Sequence, residues 1–478
     1  MSLEKWRLPS LTKPLPSWLA RWDKIALWAL CIFAAECCVG CSGNWWKIGP
    51  ISIRIALFIL CFLLTLPMVL YRIRDILRHP DVWLLIAFFL WIAVCAVRGW
   101  TAGHNREFLK SDITSLLSLA LLPGFMVTVR DRTRFRGILT VIFYATAVLA
   151  LITTALHFAV AFLSDQQIID VNRWLNDYAL GGFATMKAGG QRVYLRSQIF
   201  LQCALLIGLF YLKDEPKRGR RLFLWGCEVL ILFADVVTYT RGFWIGLLFS
   251  ALLLLGMMWQ YRRYWLRCLG VLCVALVAMM GLSWLVYGAP LVPLSIAERI
   301  SPSLVTKNWL APDGQGETKA EETEKPFLDA SDKRDKTQRQ QWAEIQKHWL
   351  FGTGLGKNLD GVRDDGKTEY MYQDMWMKTG LIGLLLFCSV FFLPILRGGA
   401  AWIRCKRRWE ITTDSAAGKG VLGVCCLSGV ALTSYFNPFL TTPMGCVLWM
   451  MSESSVELAL CCSPDNRQET EIQTEDLV

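Results

Sequence analysis

The stretch KIALWALCIFAAECCVGC, residues 24–41, decides the fold class of this chain. It is apolar over a length close to the roughly 20 residues that an α-helix needs to cross a hydrocarbon core of about 30 Å. A lead that carries Trp and Arg precedes it, and no small-residue cleavage site follows. We therefore expect a retained membrane span and not a removed signal peptide.

The whole chain has the composition of an integral membrane protein. Of its 478 residues, 54% are hydrophobic, and 22 are Trp. The mean hydropathy is +0.39, which lies outside the range of ordinary soluble proteins. We predict an all-α polytopic membrane protein with about twelve transmembrane helices. The further apolar windows are 52–70, 82–99, 113–129, 137–163, 196–212, 222–238, 243–259, 268–288, 380–396, 420–435 and 439–452.

The loops between these windows predict the orientation, because loops rich in Lys and Arg stay in the cytoplasm. Alternate loops are basic: YRIRDILRH, RDRTRFR, KDEPKRGRR, YRRYWLR and RCKRRW. We expect these loops and both termini to lie on the cytoplasmic side of the membrane. The net charge of +11 then reflects topology, and nucleic-acid binding is disfavoured because the basic clusters are short and separated by spans.

This threading leaves two long segments on the outer face, residues 164–195 and 290–379. We divide the chain into a membrane domain with nine spans (1–289), an extracytoplasmic loop (290–379), three further spans (380–452) and a disordered acidic cytoplasmic tail (453–478). Within the large loop, Trp342, Ile345 and Trp349 recur at helical spacing. This spacing predicts a short amphipathic helix at the membrane surface.

Directly after that predicted helix comes WLFGTGLGKNLDG, residues 349–361, which looks like a glycine-rich nucleotide loop. A dinucleotide fingerprint, however, needs a strand before its glycines and a helix that opens on them. Here a predicted helix precedes the glycines and a polar loop follows. We therefore predict that Gly352, Gly354 and Gly356 form a turn with close backbone approach; a turn without further role is the alternative.

Three arginines at the outer ends of spans are candidates for binding an anion. Arg192 and Arg196 in GGQRVYLRSQIF are four residues apart, so on a helix they would share a face. Arg241 lies in a short outer turn between two apolar spans. Guanidinium groups stay charged and bind phosphate oxygens in a bidentate manner, which suits a diphosphate. The alternative is that these side chains reach out to lipid headgroups.

The large loop also offers groups for proton transfer. Glu369 and Asp374 lie just before a span, and His348 is near them in sequence. A carboxylate within hydrogen-bond reach can accept a proton from an attacking hydroxyl, although a loop carboxylate often only caps a helix or faces water. Asp364 and Asp365 are adjacent, so their side chains point apart and a turn explains them better than a metal site. We predict no metal and no cofactor.

The seventeen cysteines do not change this interpretation. Most lie inside the apolar windows, where a thiol behaves as a small hydrophobic group. The large outward loop contains none, so the sequence indicates neither a disulfide framework nor a zinc site there.

The combined pattern resembles the O-antigen ligase and O-antigen polymerase superfamily. It consists of many spans, TRGFW at the outer end of one of them, W-x-x-I-x-x-H-W-L-F-G-x-G-x-G in a late loop, and KTGLIGLLLF opening the next span. The resemblance covers roughly Gly189 to Leu386. It implies a helical membrane fold of the lipid-linked glycosyltransferase type (GT-C-like), with a large outward loop before the third-last helix.

The resemblance also implies an activity. Such proteins take a glycan from undecaprenyl diphosphate on the outer face of the inner membrane and join it to an acceptor sugar, without nucleotide or required metal. By this resemblance Arg192, Arg196 and Arg241 hold the diphosphate, and Gly352, Gly354 and Gly356 shape the acceptor cleft. The expected acceptor is the lipid A core or a growing glycan.

One departure keeps alternatives open. Ligases usually carry a His-Asn-x-x-Leu motif before the Thr-Gly pair of the late span, whereas here Glu369 and Tyr370 occupy that register. Glu369 is then our predicted catalytic residue, or the base lies elsewhere, or the chain is a polymerase-like member. A polysaccharide flippase or transporter, with Glu36, Glu228 and Asp235 inside spans, is the alternative from another class, and a scaffold protein is a third.

Overall fold

The computed structural model describes residues 15–49, 51–301, 335–359, 368–405 and 416–460. In these residues the protein is mostly helical, and its strands form two short antiparallel pairs. Six helical segments are long and apolar enough to cross a membrane by length and composition: Ile53–Tyr71, Pro80–Thr101, Arg106–Thr128, Arg132–Phe162, Trp259–Tyr287 and Met371–Ile403. The helical membrane class is thus confirmed, while the predicted number of spans and the GT-C-like architecture stay predictions.

The helices follow the apolar windows closely, and each window coincides with one or two of them. In chain order they are α1 (Ser17–Val39), α2 (Ile53–Tyr71), α3 (Ile73–Ile76), α4 (Pro80–Thr101), α5 (Arg106–Leu117), α6 (Leu122–Thr128), α7 (Arg132–Ala159), α8 (Asp165–Asp177), α9 (Ile199–Asp214), α10 (Arg218–Val237), α11 (Arg241–Met257), α12 (Arg262–Tyr287), α13 (Leu291–Ile300), α14 (335–347), α15 (Met371–Cys405), α16 (Ala416–Thr433) and α17 (Pro443–Leu460).

The strands are β1 (Lys47–Ile48), β2 (Ile51–Ser52), β3 (Gly181–Thr185) and β4 (Gln191–Leu195). In the second pair, Gly181 faces Leu195 and Thr185 faces Gln191. The turn between β3 and β4 contains Gly189 with a φ of +95°, a conformation that glycine adopts without steric cost. The first outer segment of the sequence therefore folds into helix α8 followed by a β-hairpin.

Packing of the helices leaves broad apolar faces uncovered. In α12, Val274, Val277 and Leu285 are 73%, 68% and 83% exposed, as expected for a helix whose surface faces lipid. Inside the bundle, α17 packs on α16 and α15, and the Trp449 indole donates to the Val390 carbonyl at 2.9 Å. The interior is thus formed by a subset of the helices, while others present apolar side chains outward.

One end of the bundle, which we name the loop end, carries α8, the β3–β4 hairpin, α13, α14 and residues 348–359. Its parts contact the bundle and each other: Ser42 Oγ donates to the Tyr178 carbonyl at 3.0 Å, and the Ala188 amide in the hairpin turn donates to Glu298 Oε2 of α13 at 3.4 Å. The two outer segments expected from the sequence therefore meet at one end. Their side of the membrane stays a prediction.

The opposite end contains basic connections and buried ion pairs. Asp23 accepts from Arg130 at 3.0 Å and from Arg134 at 2.7 Å, which ties the start of α1 to the start of α7.

The last helix differs from its expected boundary. Helix α17 continues to Leu460, and Glu453 in it is fully buried, so residues 453–460 belong to the bundle and not to a disordered tail. The predicted tail beyond Leu460, the adjacent Asp364 and Asp365, and much of the charged part of the large loop lie outside the described residues.

Candidate functional site

The glycine motif forms a tight turn at the loop end. Gly352, Gly354 and Gly356 have φ angles of +70°, +97° and +79°, which side chains with a Cβ disfavour. The approach of neighbouring backbone is also close, because a Cβ on Gly354 would lie 2.5 Å from the Gly99 nitrogen. The predicted turn with close backbone approach is therefore present, while its role in an acceptor cleft stays a prediction.

Backbone hydrogen bonds join this glycine turn to three helices. The Leu355 amide donates to the Cys95 carbonyl of α4 at 3.0 Å, and the Gly356 amide donates to Asp112 Oδ2 of α5 at 3.0 Å. The Thr353 amide donates to the Met377 carbonyl of α15 at 2.8 Å. Helix α15 is broken at Gly380, where φ is +71°, and this break exposes the carbonyls that the turn uses.

A buried ion-pair triad lies beneath the turn. Lys378 Nζ is 3.0 Å from Asp112 Oδ1 and 3.0 Å from Asp374 Oδ2, and the lysine side chain is 3% exposed. Asp374, a candidate acid or base in the sequence, is thus paired within α15. His348, the other nearby candidate, is exposed directly after α14.

The hairpin brings Arg192 to the turn between α10 and α11. Arg192 Nε donates to the Thr238 carbonyl at 2.6 Å, and its Nη2 donates to Thr240 Oγ1 at 2.8 Å. The expected helical face shared with Arg196 is wrong, because Arg192 lies in β4 and Arg196 follows its end. The Arg196 side chain is exposed.

Arg241 is the first residue of α11 and its side chain is exposed. A helix N-terminus offers unpaired amides and a partial positive charge, so an arginine there strengthens an anion-binding position. Tyr239, just before it, has a φ of +47°, a strained conformation for a bulky residue. Burial raises the pKa of Tyr239 above its usual range, so the phenol stays neutral.

Glu369 is half-buried, and the side chains of both adjacent residues contact other elements. Gln341 Nε2 of α14 donates to Thr368 Oγ1 at 2.6 Å. On the other side, the Tyr370 ring lies edge-on to the Tyr435 ring with centroids 6.2 Å apart. The structure therefore fixes the backbone on either side of the predicted catalytic carboxylate.

The aromatic segment, residues 434–437, contacts the residue next to Glu369 and the residue next to Arg241. Tyr435 contacts Tyr370 and also Phe436, whose ring centroid is 5.1 Å away. A Cβ on Gly242, next to Arg241, would lie 3.4 Å from Phe436 Cβ. The sequence analysis missed this segment, although its signal was a polar and aromatic run, SYFNPF, between two apolar windows.

A second group of ionisable residues lies at the opposite end of the bundle and was also missed. It consists of His79, Asp81, Glu453 and Glu457, whose side-chain nitrogen and oxygen atoms lie within 4.8 Å of one another. Groups of these types at this spacing could bind a metal ion. The Arg397 guanidinium, however, already contacts all three carboxylates. We therefore interpret this group of described residues as an ion-pair network that joins α4, α15 and α17.

Comparison with known proteins bears on the same part of the chain. Residues 227–388 match the family model described as O-antigen ligase. No curated protein matches the chain. The matched range includes Arg241, the glycine turn and Glu369, whereas Arg192, Arg196 and the aromatic segment lie outside it. The match thus supports, for residues 227–388, the resemblance to the O-antigen ligase superfamily.

Proposed function

We propose that this protein transfers a glycan from undecaprenyl diphosphate to an acceptor sugar at the outer face of a bacterial inner membrane. The observation that carries the proposal is the arrangement of the loop end. An exposed arginine begins α11, a half-buried carboxylate precedes α15, and the aromatic segment contacts the neighbours of both, Gly242 and Tyr370. The family match supports glycan chemistry of this general type.

The arginines have distinct roles in this proposal. Arg241 and Arg196 are exposed and bind the diphosphate, whose charge grows as the bond to the sugar breaks. Arg192 donates to the Thr238 carbonyl and to Thr240 Oγ1, so it also positions the turn that presents Arg241. Charged donors aimed at a developing negative charge are worth most where water is excluded.

The chemical step is a displacement at the anomeric carbon. An acceptor hydroxyl oxygen forms a bond to that carbon, and the bond from the carbon to the diphosphate oxygen breaks with its electron pair. Glu369 accepts the hydroxyl proton, and undecaprenyl diphosphate leaves with its added charge offset by the arginines. Attack in line with the leaving group inverts the configuration at the anomeric carbon.

The glycine turn supports this chemistry by position. Its backbone amides join α15, the helix that follows Glu369, to α4 and α5. The acceptor binds beside this turn.

The proposal is tested by glycan display in a strain that lacks the gene, with lipid-linked intermediates extracted and sized from the same cells. Long glycans that accumulate on undecaprenyl diphosphate and do not reach the surface are the result expected for a ligase. Single repeat units accumulating instead would identify a polymerase of the same superfamily. An unchanged profile of both surface glycan and intermediates would contradict the proposal.

A polysaccharide transporter is the alternative from another class, and one observation favours it. Glu228 and Asp235 of α10 are buried, and neither carboxylate has a hydrogen-bond partner among the described residues. Unpaired carboxyls inside a membrane bundle are typical of transport pathways. Glu36, the third candidate, instead pairs with Arg54 at 2.8 Å. A deletion strain that no longer exports the glycan but still transfers it to the acceptor would support this alternative.

A further inference from the structure

The aromatic segment is exposed although it lies between packed helices. Tyr435 and Phe436 are 42% and 39% exposed. The residues around them are held: Tyr372 OH donates to the Ala431 carbonyl at 2.8 Å, and Thr433 Oγ1 donates to the Gly242 carbonyl at 3.2 Å. Two aromatic rings are therefore partly exposed on a backbone whose neighbours are fixed by hydrogen bonds, and they are not part of the packed interior.

Polar groups accompany these rings. Ser434 is fully buried, and its hydroxyl has no hydrogen-bond partner in the part of the chain that the structure describes. Asn437 is half-buried, with its amide nitrogen 3.7 Å from the position of a Cβ on Gly242. Aromatic surface with a few polar groups beside it is the usual lining of a small-molecule site.

We propose that Tyr435 and Phe436 form the surface on which the first sugar ring of the donor glycan stacks. This inference rests on the proposed function, and it adds a donor-sugar subsite from residues outside the matched range 227–388. The C–H face of a pyranose is apolar and packs on aromatic rings, while its hydroxyls reach the amide of half-buried Asn437. A bare lipid diphosphate has no group for this surface.

The position of the surface fits the chemistry of the donor. The first sugar is bonded directly to the diphosphate, which Arg241 binds, and its anomeric carbon must lie within reach of an acceptor whose proton goes to Glu369. Phe436 contacts the residue next to Arg241, and Tyr435 contacts the residue next to Glu369. The planes of the two rings lie at 84° to each other, so a sugar ring that stacks on one of them touches the other edge-on. It then lies beside the neighbours of both Arg241 and Glu369.

The test compares two probes on the purified full-length protein in lipid nanodiscs. One probe is undecaprenyl diphosphate, and the other is undecaprenyl diphosphate that carries one N-acetylhexosamine. We expect the wild-type protein to bind the sugar-bearing lipid about three- to tenfold more tightly, as one aromatic contact provides. Tyr435→Ala and Phe436→Ala should remove this difference and leave affinity for the bare lipid unchanged.

Control variants separate this subsite from other effects. Tyr435→Phe keeps the ring and should keep the preference, and Trp284→Ala removes an aromatic side chain of α12 that is 55% exposed and should also keep it. Arg241→Ala should weaken binding of both lipids.

Two results overturn the subsite: a wild-type protein that binds both lipids equally, or alanine variants that keep the preference. Neither affects the proposed function, which instead fails if Arg241→Ala leaves binding of both lipids unchanged.

Discussion

Replacing Gly354 with alanine is expected to destabilise the loop end by about 2–5 kcal/mol. The φ of +97° costs an alanine about 1–2 kcal/mol. The new Cβ would also lie 2.5 Å from the Gly99 nitrogen and 2.8 Å from Gly99 Cα. Because both atoms are backbone, relief requires movement of α4 or of the turn, which overpacking data place at about 1–3 kcal/mol.

Three glycine variants divide this effect into its parts. Gly288 has a φ of +68° with open space around it, so Gly288→Ala should show the backbone cost alone. Gly99→Ala should show the contact cost alone, since its Cβ would lie 2.0 Å from the Leu355 carbonyl oxygen. Gly281, in the middle of α12, has neither feature, and its alanine variant should be as stable as wild type or more so.

The measurement is thermal unfolding in detergent with a dye that fluoresces when it reacts with cysteine thiols. The chain suits this assay, because most of its described cysteines are free and buried. At one fixed scan rate, the unfolding midpoint should be highest for Gly281→Ala, lower for Gly288→Ala and lowest for Gly354→Ala. A Gly354→Ala protein that unfolds at the same temperature as Gly281→Ala would refute the close backbone approach.

Three further substitutions test the charged contacts. Lys378→Met leaves Asp112 and Asp374 buried without a cation and should cost about 3–5 kcal/mol, seen as a lower midpoint in the same dye assay; a wild-type midpoint would contradict the triad. Arg192→Ala should reduce glycan transfer at least about tenfold with little change in the unfolding midpoint. The transfer rate of Arg192→Lys should lie between those of wild type and Arg192→Ala, since lysine lacks the two-point donor geometry. Transfer by Arg192→Ala at the wild-type rate would show that the turn between α10 and α11 does not need Arg192. Arg397→Met removes the cation from the buried carboxylates of Asp81 and Glu453 and the half-buried one of Glu457. The protein should then fail to accumulate when followed by in-gel fluorescence of a fusion, and normal accumulation would argue that the network is dispensable.

Hydropathy predicts helices well in this chain because bilayer thickness imposes a length on each apolar stretch. The window 82–99 became α4, Pro80–Thr101, and the window 268–288 became α12, Arg262–Tyr287. The number of spans is harder to predict, since length and hydropathy alone do not decide whether shorter helices such as Arg241–Met257 cross a membrane.

The helical interpretation of Arg192 and Arg196 failed because the residues before the window 196–212 form strand β4 and not an extension of helix α9. The glycines at Gly181, Gly182, Gly189 and Gly190 mark a hairpin at this place, since glycine pairs around a short run of alternating residues are typical of turns and strand ends. Local turn signals should therefore have taken precedence over the hydropathy window.

Contacts between distant residues were not predictable from one sequence. Lys378 and Asp112 are 266 residues apart, and Arg397 and Asp81 are 316 apart, so no local spacing connects them. The same holds for the contact of Tyr370 with Tyr435. The individual glycines and charges were visible in the sequence, whereas the partners that give them a role depend on the fold.

The most direct test of the proposed chemistry is glycan transfer by the purified protein, with membranes of the deletion strain supplying lipid-linked donor and acceptor. Arg241→Ala is compared with Arg173→Ala, a matched control whose side chain is 67% exposed on α8. We expect Arg241→Ala to be about 100- to 1000-fold slower and Arg173→Ala to match wild type. Equal transfer rates for wild type and Arg241→Ala would contradict the role of the loop end in transfer.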